Sequence, residues 1–396
     1  MKILLVNKYW YHRGGTERVV FLTKQLLEQA GHRVELFGMH HPANEINNKY
    51  FVDYVDVHQL HLKQKLRAAK NTLYHAEAKQ QFSDLVDAFQ PDVVHLHNIY
   101  HQLSFSLLDV TKKRGIRTVM TLHDYHLLSP NYTLFHHGKI DEHTIGKNAY
   151  RCILYNAMES FPISVLATIE FYYRQIKKYH TAVDYYIAPS QFMKDMCVRA
   201  GWKEERIRVI PNPIDTTDYT PSKTAGSFVT YIGRISKEKG VNILLQAAKQ
   251  TPQIPYRIIG DGKEKQLLEQ YVKKEGMTNV QWYSWQQGDA LRRLMNEARI
   301  VVAPSLWYEN CPLSILEAMS LGKVVIGSNL GGITELLPPE LVVPPGDPTA
   351  LAATISLWYS RSSKERQQIG KQLRQQVEKH HTFAAYQQAL LQVYTL

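Results

Sequence analysis

The sequence has little cysteine. Cys152, Cys197 and Cys311 are the three present, and they lack the paired spacing of a disulfide framework or a zinc cluster. That scarcity points to a reducing compartment. Long apolar runs are missing as well. No stretch approaches the roughly 18 residues of a membrane-spanning helix, and the apolar run in the opening MKILLV is too short for the core of a secretion signal. A cytoplasmic protein is expected, possible attachment to the inner face of a membrane aside. There is no short-period repeat, no low-complexity segment, no helix-turn-helix or zinc-finger spacing, and no recognition motif of interleaved basic and aromatic residues. Nucleic acid is therefore not an expected partner. Acidic residues are in the minority, 36 Asp and Glu against 47 Lys and Arg, for a net charge of +11. Such a field favours anionic partners such as nucleotide phosphates or an anionic lipid surface. All 18 histidines except His380 and His381 precede residue 213, so the first half is expected to gain charge steeply as pH falls through about 6.5.

What is present is alternation. The 396 residues suffice for two domains. KILLV (2–6) reads as a buried strand, TERVVFLTKQLLEQAG as a helix with Thr16 as N-cap and Gly31 as its stop, and RVELFGM (33–39) as the next strand. Further strands are read at 92–98, 117–124, 184–190 and 207–212, while 125–183 is less regular and rich in aromatics. The second half repeats the pattern more cleanly, with strands at 228–234, 256–262, 279–285 and 299–305, each followed by a helical pattern, then strands at 323–329 and 341–347 and a helix from Pro348. Strands alternating with helices in this way predict two doubly wound, Rossmann-like α/β domains. The segment 211–227, with three prolines among Thr, Ser, Gly and Asp, has the composition of a linker. The expected boundaries are 1–212, 213–382 and a terminal helix 383–396 that crosses back to the first domain, with ligands in the cleft that the strand C-termini of both domains face.

Two loops carry the chemistry of anion binding. GRISKEKG (233–240) follows a strand and opens a helix; Gly233 permits a tight turn, and Arg234 and Lys239 add cations where backbone N–H groups already favour an anion. HRGGTERVV (12–20) places Gly14 and Gly15 between the first strand and the first helix, where backbone can approach a phosphate. A solvated lysine-rich loop and an ordinary turn remain the plain alternatives. A third stretch, WYENCPLSILEAMSLG (307–322), sets Glu309 before a helix and Glu317 inside it, with Pro312 expected at the first helical position and Asn310 or Cys311 as cap. Carboxylates there, beside free backbone donors, suit a polyhydroxylated ligand; a dipole-facing carboxylate with a solvated helical glutamate fits the spacing equally.

ENCPLSILE resembles the E-x7-E signature of retaining glycosyltransferases of family 4, which have the GT-B fold. GGTERVVFLTKQLLEQAGHRVELF, VVHLHN, TLHD, IAPSQFMKD, VIPNPID, YIGRISKEKG, IIGDG and EAMSLGKVVIGSNLGGITEL follow in the order of that family, so the resemblance spans nearly the whole chain. It implies a nucleotide-sugar donor, UDP- or GDP-linked, in the second domain, and a sugar, lipid-linked or small-molecule acceptor in the first. Arg234 and Lys239 would hold the donor diphosphate in place of a metal, so that neither metal nor cofactor is expected. Glu317 would take the ribose hydroxyls. Glu309 would contact the donor sugar, with Asn310, Cys311, Pro312 and Leu313 closing on sugar and phosphate. Gly14, Gly15 and Gly233 would let backbone come close, His123 would sit by the transferred sugar, and His12 and Asp124 would lie on the acceptor side. Asn310–Cys311 stands where many relatives have Gly-Phe, which implies a donor pocket of different shape. The resemblance also implies transfer with retention, driven by charge compensation on the leaving diphosphate, in polysaccharide or glycolipid synthesis.

Paired carboxylates also suggest glycoside hydrolysis, but these two flank one strand-to-helix turn and suit hydroxyl binding better. A nucleotide-sugar epimerase or hydrolase of the same fold, and a silent nucleotide-sugar sensor, are the rival functions. His95 and His97 alternate on a strand and could ligate a metal, although no carboxylate cluster accompanies them. Finally, HLKQKLRAAKNTLY (61–74) sets Leu62, Leu66, Ala69 and Leu73 at helical spacing among Lys63, Lys65, Arg67 and Lys70. It reads either as a helix packed on its own domain with a solvated basic face or as one lying on an anionic membrane.

Overall fold

In a computed structural model, residues 1–56, 61–222 and 226–396 are described, Leu62 without its side chain; linker residues 223–225 and that leucine side chain lie outside the description. The chain divides into two units. The first comprises Met1–Leu134, Glu142–Ile210 and Tyr386–Leu396, the second Phe135–Asp141 and Pro211–Ala385.

Strands in the first 210 residues are β1 (Lys2–Val6), β2 (Arg33–Phe37), β3 (Met39–His40), β4 (Val52–Asp53), β5 (Val93–Leu96), β6 (Arg117–Thr121), β7 (Phe135–His136), β8 (Lys139–Ile140), β9 (Tyr185–Ala188) and β10 (Ile207–Val209). Six of them form a parallel sheet in the order β10-β9-β6-β5-β1-β2. β1 sits in register with both neighbours, Ile3 opposite Val34 and Val93. Its continuous apolar run is what a strand covered on both faces requires. The order reverses between β1 and β5, so the loops leaving those strands diverge and leave room at their C-terminal ends. The helix Phe383–Thr395 buries Tyr386, Leu390, Val393 and Tyr394, with Tyr386 Oη 2.8 Å from Thr23 Oγ1 and Tyr394 Oη 2.7 Å from His95 Nδ1.

The second unit contains β11 (Phe228–Ile232), β12 (Tyr256–Ile259), β13 (Val280–Tyr283), β14 (Ala298–Ala303), β15 (Val324–Ser328) and β16 (Val342–Val343). They pair in the order β13-β12-β11-β14-β15-β16, all parallel. The reversal falls between β11 and β14, the strands that lead into GRISKEKG and WYENCP. Ile258, Ile300, Val302 and Val325 from the sheet, with Leu244, Leu316 and Ile355 from helices, make the core.

Several local expectations are corrected. The first helix runs Gly15–Gln29 with Gly14 as cap, so Thr16 lies inside it. β2 ends at Phe37, and Gly38 beyond it faces Trp10, where a Cβ would collide with the indole nitrogen. Pro312 is the cap of the helix Leu313–Ser320 rather than its first residue. The irregular middle contains a sixteen-residue helix, Phe161–Ile176. The basic helix spans Leu62–Leu73, and its Leu66 is exposed instead of packed.

Candidate functional site

Glycines stitch the loops of the second unit into one surface. Gly240, at φ +68°, caps the helix Val241–Gln250, and a Cβ there would collide with the Pro304 carbonyl oxygen. The Leu306 N–H donates to the Glu238 carbonyl at 2.8 Å. The loop after β11 is thus pressed against the loop after β14. On its other side, a Cβ on Gly260 would overlap the Gly233 carbonyl oxygen, and the Ile235 N–H donates to the Asp261 carbonyl at 2.9 Å.

This packing brings Lys239 to Glu309. The ammonium lies 2.6 Å from Glu309 Oε1, the Ser305 hydroxyl donates to the same oxygen at 2.7 Å, and Lys239 Nζ stands 5.1 Å from the centre of the Trp307 ring. Burial pushes the Glu309 carboxyl up, but Lys239 and Ser305 outweigh it and hold it below the usual carboxylate range. The backbone of Glu309 is fixed separately: its carbonyl accepts the Gly332 N–H at 2.7 Å, and Gly331, at φ +56°, leaves no room for a Cβ, which would come within 2.5 Å of that oxygen. Neither Gly331 nor Gly332 is picked out by the sequence reading, although they form the same double-glycine signal that marks Gly14–Gly15.

Arg234 and Lys239 are not equivalent cations. Arg234 is largely exposed and pairs with Glu238 at 2.9 Å, and its carbonyl accepts the Tyr231 hydroxyl at 2.7 Å. Glu317 is buried, its Oε1 accepting from the Tyr219 hydroxyl at 2.9 Å. Cys311 is also buried; its carbonyl accepts from Asn212 Nδ2 at 2.9 Å, and burial pushes its thiol up to about 12.

In the first unit the switch point lies at β1 and β5. The Lys8 N–H donates to the Asn98 carbonyl at 3.0 Å, and the Asn98 N–H to Asn7 Oδ1 at 3.2 Å. Gly14 has extended backbone, and a Cβ on it would stand an unstrained 3.6 Å from Glu17 Oε2, so neither conformation nor packing demands glycine there. His95, His97 and His123 form a column, with ring centres 4.2 Å and then 5.2 Å apart. His97 Nδ1 and His123 Nε2 share a hydrogen bond of 2.9 Å. Both nitrogens of His95 are engaged, by Tyr394 and by Thr121, which leaves it no lone pair for a metal. Burial lowers His95 and His123 to about 3 and His97 well below its ordinary value. These rings do not join the expected gain of charge near pH 6.5. Asp124 accepts the His126 N–H at 2.9 Å, and burial raises its carboxyl. His12 is exposed and contacts Phe21 and Glu45.

Residues 13–218 match the family described as Glycosyltransferase Family 4, and residues 219–376 match Glycosyl transferases group 1. The chain belongs to glycosyltransferase family 4 and has the GT-B fold. It is 25% identical, over 85% of its length and 87% of the relative's, to an uncharacterized 42.6 kDa protein in the cps region of Klebsiella pneumoniae. It is 21% identical to a subunit of the human phosphatidylinositol N-acetylglucosaminyltransferase over 86% of this chain, a match spanning 64% of that relative. The Anabaena protein HepE, solved in complex with UDP, superposes with a TM-score of 0.67 over 100% of both chains at 19% identity, a likeness of fold. Among the described residues no helix is long and apolar enough to cross a membrane.

Proposed function

We propose that this glycosyltransferase moves a sugar from a UDP- or GDP-linked donor to a hydroxyl acceptor with retention at the anomeric carbon. The second unit holds the donor and the first the acceptor. The observation that carries the reading is the Lys239–Glu309 pair at the β11/β14 switch point, 2.6 Å apart and largely buried. A cation and carboxylate paired in this way can exchange partners: Lys239 turns to the donor diphosphate, and Glu309 accepts from sugar hydroxyls. Charge building on the leaving diphosphate is then met by Lys239, Arg234 and backbone N–H groups near Gly233 and at the cap of the helix Leu313–Ser320. The acceptor proton passes to that phosphate. His123, kept neutral by desolvation, lies beside the sugar without adding charge, and Glu317 takes the ribose hydroxyls. Gly14, which the fold does not require as glycine, leaves backbone open to the phosphate. The UDP complex of HepE supports a nucleotide-linked donor, the name of the human relative supports glycosyl transfer, and similarity to an Escherichia coli glycosyltransferase named for colanic acid biosynthesis supports a place in polysaccharide synthesis.

The test is a thermal-shift panel of UDP, GDP, ADP, CMP and their sugar conjugates, on the native protein and on Lys239→Ala. Saturating ligand at about 100 times Kd stabilises by about 2.7 kcal/mol. A rise in Tm with one nucleotide series, lost in Lys239→Ala, is expected; no rise, or an equal rise in the variant, overturns the donor site. Product NMR with the donor so found reads the anomeric configuration. Turnover of donor without any acceptor would instead mark an epimerase or hydrolase.

A further inference from the structure

The helix Phe161–Ile176 is apolar on two faces. Its inward face buries Ala167 and Phe171 together with Ser164, Thr168, Glu170 and Arg174, with Glu170 2.7 Å from Arg174 and 3.2 Å from His126. To solvent it presents Phe161, Ile169 and Ile176, exposed by 60%, 48% and 78%. These three, with the half-buried Val165 and Tyr172, recur at intervals of three and four residues and form one stripe. With the inward face already packed, a second apolar stripe left facing outward is shaped for another apolar medium.

The stripe does not stand alone. The turn Arg151–Leu154 packs beside it and adds exposed Leu154 and Tyr155. The Tyr172 hydroxyl donates to the Lys147 carbonyl and accepts the Tyr150 N–H, both at 3.1 Å, which fixes exposed Tyr150 and Lys147 at its edge. The basic helix Leu62–Leu73 also packs against it, with Leu66, Lys63, Lys65, Arg67 and Lys70 exposed. Lys177 and Lys178 follow the end of the stripe, both exposed. Within residues 61–73 and 146–178 the acidic residues are Glu159 and the buried Glu170.

We propose that this face of the first unit docks on an anionic lipid bilayer, the stripe entering the headgroup–acyl boundary and the basic helix meeting the headgroups. Charge selects the occupant. A second copy of the chain would bring like-charged rims together, whereas an anionic leaflet supplies both the apolar layer and the counter-charge. Docking of this kind is independent of the donor chemistry. The membrane contact expected of residues 61–74 thereby moves from the basic helix alone to a wider surface on which that helix is the cationic border.

The experiment is co-sedimentation of the full chain with vesicles of phosphatidylcholine and phosphatidylglycerol, and with phosphatidylcholine alone. Binding to the anionic vesicles is expected, with partition weakened about tenfold or more by Ile169→Glu with Ile176→Glu, and likewise by Lys63→Glu with Lys65→Glu and Arg67→Glu. Thermal melts check that each variant folds, and Lys177→Glu with Lys178→Glu, at exposed positions, serves if either set does not. The proposal is overturned if the native chain ignores anionic vesicles, or if folded variants bind them as the native chain does. It is also overturned if the isoleucine variant changes only the oligomeric mass in light scattering, which would make the stripe a contact between copies.

Discussion

Lys239 Nζ and Glu309 Oε1 are 2.6 Å apart, although seventy positions and three strands of sequence separate them. Each belongs to a loop that the other holds in place. Lys239→Ala leaves a buried carboxylate without its cation, and the fold should lose about 3 kcal/mol or more. Transfer should fall by about 10²–10³. Glu309→Gln keeps a hydrogen-bonding group and should lose comparable activity with much less stability. Urea melts alongside initial rates separate the two. The Glu309 carboxyl is held below the usual range, so its stabilisation is present above the unfolded carboxylate pKa and is lost as pH falls through the folded value. Lys239→Ala should remove that acid limb.

Gly331→Ala tests whether the backbone of Glu309 matters apart from its side chain. The new methyl would meet the Glu309 carbonyl oxygen at 2.5 Å with φ at +56°, so the loop must shift. A loss of about 1–3 kcal/mol and at least tenfold in kcat/KM is expected. Native rates from a destabilised Gly331→Ala would show that the position of Glu309 is not critical.

The histidine column makes the protein sensitive to acid. His95 and His123 titrate at about 3 when folded, against about 6.5 unfolded. The unfolded chain therefore binds more protons between those values. Stability present above about pH 6.5 falls as pH drops toward 3, by about 1.4 kcal/mol per pH unit for each ring. Chemical denaturation at a series of pH values should show this slope, reduced by one proton in His123→Gln.

His123 stays neutral through the physiological range, so its titration should not shape the rate profile near pH 6.5. His123→Ala should lower kcat about 100-fold. An acid limb in native kcat/KM near 6.5 that vanishes in His123→Ala would contradict the neutral role.

Tyr219 donates to Glu317 Oε1 at 2.9 Å. Tyr219→Phe removes that donor at a cost of about 1–3 kcal/mol and takes away one contact that positions Glu317. With Glu317 on the ribose, KM for the donor should rise several-fold while kcat holds. An unchanged KM would take Glu317 away from the ribose.

Much of the fold could be read along the chain because a parallel strand covered on both faces writes itself as an apolar run, and each crossover helix as a 3.6-residue stripe. β11, β12, β13 and β15 fall within their expected spans, and Gly233 and Glu309 lie on loops of one switch point. The helix Phe161–Ile176 escaped notice for the opposite reason: Ala167 and Phe171 face in, Phe161, Ile169 and Ile176 face out, and its charges Glu170 and Arg174 are buried, so no single apolar stripe marks it. Gly331 escaped because its role is to avoid an atom twenty-two positions away, which no local pattern records.

The sequence by itself determined the alternation, the cations and carboxylates available to the site, and the family to which the chain belongs, since these depend on residue type and spacing. Tertiary structure alone decided which charges meet. Lys239 faces Glu309 while Arg234 faces Glu238, because Gly240 lets the loops after β11 and β14 close on each other and Gly331 lets the loop after β15 close on Glu309. It likewise decided that His95, His97 and His123 carry no charge near neutral pH, since burial is a property of the assembled sheet and helices rather than of any residue in them.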